Sequence, residues 1–142
     1  MTRVVFDTNI IVSALLQPLG APAELFKLAL NGSIQLCVTG DIYAEYEEVI
    51  SRPRFQRIGE ISAGALRAIR DRGFWVRPTE SVRACSDPDD DIFLECAQAA
   101  GAEYLVTGNL KHFPVSWKEA QIVTPRQMVE ILAGSEKEAG LS

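Results

Sequence analysis

The sequence predicts one three-layer α/β/α domain built on a parallel sheet. Short apolar runs such as Arg3–Phe6 do not alternate, as expected of strands buried on both faces. Segments of helical periodicity separate these runs, which is the order that parallel pairing requires. The 142 residues are 47% hydrophobic and 23% charged, enough apolar content for a single compact core.

The first strand is Arg3 to Phe6 and leads into a short helix from about Asn9 to Leu16. After a Pro18/Gly20 turn, a second helix over Pro22 to Leu30 presents Leu25, Phe26, Ala29 and Leu30 on one face and stops at Asn31-Gly32. Gln35 to Val38 reads as the second strand. Helices follow over Asp41 to Ile50, closed by Arg52-Pro53, and over Ala63 to Arg72, ended by Gly73. Phe74 to Val76 reads as a short strand. A helix opens at Asp87-Pro88 and continues to Ala100-Gly101; Glu103 to Val106 and Gln121 to Val123 are strands, and Pro125 to Leu132 is a last helix. The domain is thus expected over residues 1–134, with 135–142 a frayed polar tail.

No apolar run approaches the ~20 residues of a membrane span, and Asp7-Thr8-Asn9 breaks any signal-peptide core, so a cytoplasmic protein is expected. Cys37, Cys85 and Cys96 have neither the number nor the spacing of a disulfide framework or a zinc knuckle. A net charge of −5 argues against holding duplex DNA by neutralising phosphates, but not against binding nucleic acid through a metal ion.

In open parallel sheets, ligands sit beyond the carboxyl ends of the strands, where strand order reverses. Asp7-Thr8-Asn9 follows the first strand, and Thr107-Gly108-Asn109 follows the strand ending at Val106. Asp7 suits a helix cap as well as a site residue. On the helix Asp41 to Ile50, Glu45 lies three after Ile42 and four before Val49, on the apolar stripe; Glu47 faces solvent and Glu48 flanks the stripe. A carboxylate there needs a metal or a buried arginine. In Asp87-Pro88-Asp89-Asp90-Asp91, Asp87 suits the N-cap and Pro88 the first helical position. Asp90 continues the face of Phe93, Leu94 and Ala97, whereas Asp91 aligns with the polar Glu95 and Gln98. Asp7, Glu45 and Asp90 therefore point toward one end of the sheet. Three such acids repel unless a cation lies between them, and oxygen ligation favours Mg²⁺ or Mn²⁺.

These motifs, with Glu45-Tyr46 and Leu105-Val106-Thr107-Gly108-Asn109, resemble the PIN-domain nucleases in motif order from Val4 to about Leu132. The resemblance is to the bacterial branch that forms the toxin components of toxin–antitoxin pairs. It implies a five-stranded parallel sheet, a metal-dependent ribonuclease, and Asp7, Glu45 and Asp90 as catalytic metal ligands. Asn9 and Ser13 would support the first acid. Many members carry an acid where this chain has Asn109, a weaker ligand that brings no charge. An antitoxin encoded nearby and a homodimer formed through a helical face are further expectations.

Outside these motifs, Lys111 and His112 follow the candidate site and are candidates to touch an RNA phosphate, although a lone histidine is often structural. Arg52, Arg54 and Arg57, with Phe55 among them, form either an RNA grip with a stacking platform or a solvated loop. Trp75 and Trp117 read as packing residues. Two rival readings remain. One is an aspartate-dependent phosphatase, which wants an acid where Asn9 stands. The other is a non-catalytic PIN-like binding module, encouraged by Asn109.

Overall fold

The computed structural model describes the backbone of residues 1–141 and the side chains of residues 1–135. Helices flank a six-stranded sheet. The strands are β1 (Arg3–Phe6), β2 (Gln35–Val38), β3 (Phe74–Trp75), β4 (Tyr104–Val106), β5 (Ser116–Trp117) and β6 (Ala120–Val123). The helices are α1 (Thr8–Leu16), α2 (Ala21–Leu30), α3 (Gly40–Ile50), α4 (Gly59–Arg72), α5 (Asp91–Ala100) and α6 (Pro125–Leu141). Short 3-10 turns cover Pro53–Ile58, Pro88–Asp90 and Leu110–His112.

Strand order is β3-β2-β1-β4-β6-β5. The first five are parallel, as expected; β5 is an additional antiparallel strand, pairing Trp117 with Ala120 and Ser116 with Gln121. A two-residue link, Lys118-Glu119, closes that hairpin, and Lys118 adopts a φ of 54°. Tight hairpins demand a positive φ, which glycine or asparagine normally supplies. Its turn carries no such signal, which is why the sequence reading misses β5.

Val4, Val5, Phe6, Leu105 and Val106 are fully buried, so the non-alternating runs do lie between two layers. Among the helices, α1 packs on α2 and α3, α2 packs on α6, and α5 lies across β1, β2 and β4. Where α4 ends, a Cβ on Gly73 would sit 2.6 Å from the Ile69 carbonyl oxygen, so only glycine lets the chain turn into β3.

The helix expected from Asp87 starts instead as the 3-10 turn and becomes α-helical at Asp91. The last helix extends beyond Leu132 as α6. Of the tail expected at 135–142, Ser142 and the side chains after Ser135 lie outside the described residues. Among the described residues, no single helix is long and apolar enough to cross a membrane, and Cys37, Cys85 and Cys96 are free thiols.

Because β1 sits between β2 and β4, the chain leaves it in one direction and later returns on the other side. Strand order reverses there, so the crevice beyond the carboxyl ends of β1 and β4 is where a ligand site belongs.

Candidate metal centre

Asp7 stands directly after β1, its backbone N–H donating to the Val106 carbonyl at 3.1 Å. Its carboxylate is buried and both oxygens are engaged. Oδ1 accepts the Ile10 N–H at 3.2 Å, capping α1, and Oδ2 accepts the Thr107 hydroxyl at 2.5 Å. The cap anticipated for Asp7 is real, and it coexists with a link to the end of β4. Burial pushes the Asp7 pKa up from 3.8 to about 6; the Thr107 and Ile10 bonds pull it down, and the charge of Asp90 pushes it up again.

Glu45 reaches this region because α3 is pinned to the end of β1. Tyr46, fully buried, donates its hydroxyl to the Phe6 carbonyl at 2.6 Å, and the Thr8 hydroxyl donates to the Glu45 carboxylate. These two bonds bracket Asp7 in sequence. Glu45 itself is half-buried on the stripe of Ile42, Tyr46 and Ile50; Glu47 is exposed, as periodicity predicts, and Glu48, expected to flank the stripe, is exposed as well. The buried arginine that would have explained Glu45 otherwise is absent among the described residues.

Asp90 is half-buried at the start of α5, where its side chain makes no capping bond. Burial, then the charges of Asp87, Glu45 and Asp89, raise its pKa against the lowering effect of His112. The His112 Nδ1 lies 3.5 Å from Asp90 Oδ2, and its Nε2 lies 3.0 Å from the Asn109 amide nitrogen. Asn109 is exposed, and its N–H donates to the Thr107 hydroxyl at 3.0 Å. Asp7, Thr107, Asn109, His112 and Asp90 thus form a continuous chain of contacts.

Periodicity placed Asp91 wrongly. It is buried rather than solvated, because Oδ1 accepts the N–H groups of Ala84 at 3.0 Å and Cys85 at 2.8 Å. Against the cost of burial, those bonds hold its pKa below the usual carboxylate value. Phe55 is another correction. It is buried, with the Arg54 guanidinium 4.7 Å from its ring centroid, so it offers no free face to a base. Arg52 pairs with Glu48 at 2.9 Å, while Arg54, Arg57 and Lys111 are exposed. Asn9 is exposed, and its backbone N–H contributes to Asp7; Ser13 is half-buried.

Thr8 and Thr107 are the residues the sequence reading overlooks. Both follow strand ends within the motifs themselves, which was the available signal. Charge and donor type fit a hard divalent cation: carboxylates from three elements, Asp90 acting on Asp7 and Glu45 acting on Asp90, with no lysine or arginine paired to any of them among the described residues. As the side chains stand, no three acidic, imidazole or thiol groups among the described residues close on one point. Asp7 and Glu45 are instead turned to the threonine hydroxyls.

Comparison with known proteins agrees with this architecture. The uncharacterized protein MJ1680 of Methanocaldococcus jannaschii is 24% identical over 140 residues, 90% of each chain. A chain of VapBC2 from Rickettsia felis, solved bound to a DNA fragment from their promoter, superposes with a TM-score of 0.56 at 14% identity, covering 87% of this chain and 98% of that one. A chain of FitAB bound to an IR36 DNA fragment gives 0.55 at 16% identity, covering 86% and 94%. These likenesses show the fold. Residues 3–111, which include β1, β4, Asp7, Glu45 and Asp90, match the PIN domain family, and the chain belongs to that family.

Proposed function

We propose that this protein is a metal-dependent endoribonuclease that hydrolyses RNA phosphodiester bonds, and that it is the toxin component of a toxin–antitoxin pair in the cytoplasm. One observation carries the reading. The charge of Asp90 raises the cost of ionising Asp7 across the crevice, Glu45 adds to that cost at Asp90, and no lysine or arginine forms a salt bridge with any of the three among the described residues. An arrangement this unfavourable is kept where a cation completes it.

Asp7, Glu45 and Asp90 would hold Mg²⁺ or Mn²⁺, with the Asn109 carbonyl a weaker fourth ligand. When bound, such an ion polarises the scissile phosphate and lowers the pKa of an attacking water. Thr107 and the Ile10 N–H fix the plane of the Asp7 carboxylate, and Thr8 fixes that of Glu45. Each hydroxyl rotates freely enough to release a carboxylate oxygen toward the crevice. Asp7 must be ionised to act, which in the metal-free protein requires a pH above about 6. Exposed Lys111 and His112 lie at the edge of the site to meet an RNA phosphate, and Arg54 and Arg57 extend the positive surface elsewhere.

Cleavage of labelled RNA with Mg²⁺ or Mn²⁺, against an EDTA control, tests this. Metal-dependent cutting is expected. RNA that is bound but never cut selects instead the non-catalytic binding module, the reading favoured by the neutral Asn109.

A further inference from the structure

We propose that Asp91 is a positioning residue, clamping the turn that carries Asp90 so that the Asp90 carboxylate is directed at the crevice. The proposal rests on the reading of Asp90 above. Residues 77–86 form neither helix nor strand, yet they are held along one face of α5. Asp91 accepts the N–H groups of Ala84 and Cys85, Glu95 accepts the Val82 N–H at 3.0 Å, and the Gln98 amide donates to Glu80 at 2.8 Å. The helix side chains that make these bonds, two acceptors and the Gln98 donor, stand at positions one, five and eight of α5, a single face. What reads in sequence as a solvated stripe is the inner side of a strap.

The Asp91 bonds close residues 84–91 into a ring. Within it, Asp87 caps the 3-10 turn, its side chain accepting the Asp89 N–H at 3.0 Å and its carbonyl the Asp90 N–H at 3.0 Å. Asp87 and Asp91 therefore supply the side-chain caps to the backbone of the ring. Asp90, the residue between them in the helix start, keeps its carboxylate free of backbone bonds and beside His112. Without the clamp, the mutual repulsion of Asp87, Asp89 and Asp90 favours an open turn.

Metal-free protein is sufficient for the test. In NMR spectra, a proton contact between Asp90 and the His112 ring is expected in the wild type. Asp91→Ala should abolish that contact and speed exchange of the Ala84 and Cys85 amides by about tenfold or more, as for loss of a charged hydrogen bond. Asp91→Asn, which keeps the acceptor oxygen, should restore the contact. If the contact survives in folded Asp91→Ala, or if Asp91→Asn behaves like Asp91→Ala, the proposal is overturned. Should Asp91→Ala not fold, Ala84→Pro removes one donor from the other side and must disturb the same contact. Mn²⁺ titration of the same proteins keeps the two readings apart. A wild type that binds no Mn²⁺ while the contact behaves as described sinks only the metal assignment.

Discussion

At Asp7, two requirements conflict. Capping α1 and accepting from Thr107 need only an acceptor oxygen, whereas a cation needs the charge. Burial raises the folded-state pKa from 3.8 to about 6, so the folded state holds the proton more tightly than the unfolded chain. Stability from this group is therefore fully present below its unfolded value near 3.8 and is lost as pH rises through about 6. At roughly 1.4 kcal/mol per pH unit, the shift amounts to about 3 kcal/mol. Metal-free Asp7→Asn should match the wild type in urea melts at pH 4 and exceed it by up to about 3 kcal/mol at pH 7.5, while losing RNA cleavage. A stability difference that is the same at both pH values would exonerate Asp7. Asn109 tests the opposite direction. Asn109→Asp adds a charge near three acids and should tighten Mn²⁺ binding by about tenfold, a change calorimetry resolves; unaltered affinity would mean that position 109 does not face the ion.

Among the elements, the start of α5 gives the sharpest contrast. Asp90 is half-buried and coupled to Asp7, whereas its neighbour Asp89 is exposed. Asp90→Asn should reduce cleavage by more than about a hundredfold, the upper range for supporting residues of metal sites, with folding stability within about 0.5 kcal/mol. Asp89→Asn should be nearly silent, and equal losses in the two variants would refute the assignment of faces. How much of this was legible depends on what hydrophobic periodicity records. It separated Glu45 from Glu47, and Asp90 from Asp89, because burial against the core leaves an apolar imprint at helical spacing. It failed at Asp91, because the strap covers α5 through its backbone N–H groups and leaves no apolar signature. Strand ends located Asp7 and the Thr107-Gly108-Asn109 turn, though not the role of the Thr107 hydroxyl, since β1 and β4 are continuous apolar runs. The hairpin of β5 stayed hidden behind Lys118-Glu119. The contact of Asp90 with His112, 22 positions away, follows from the turn after β4 and has no local signal.

For the whole molecule, the net charge of −5 and the acids at the crevice favour a basic partner through electrostatic steering. An antitoxin segment that inserts an arginine would bind the carboxylates bidentately and take the cation's place. Co-expression with the protein encoded alongside should give a complex that co-purifies and cuts RNA more slowly; no complex and unchanged cleavage would defeat this. The sheet itself limits how any partner, or a second copy, attaches. Both of its outer strands, β3 and β5, are only two residues long. A free edge is the surface on which misfolded chains stack, and its hazard grows with the length of unpaired backbone it offers. Here that length is close to the minimum a strand can have. Addition of a strand from another molecule would gain few hydrogen bonds at either side, so the fold resists the runaway edge-to-edge aggregation that threatens open sheets, and leaves its helices as the surface for specific association.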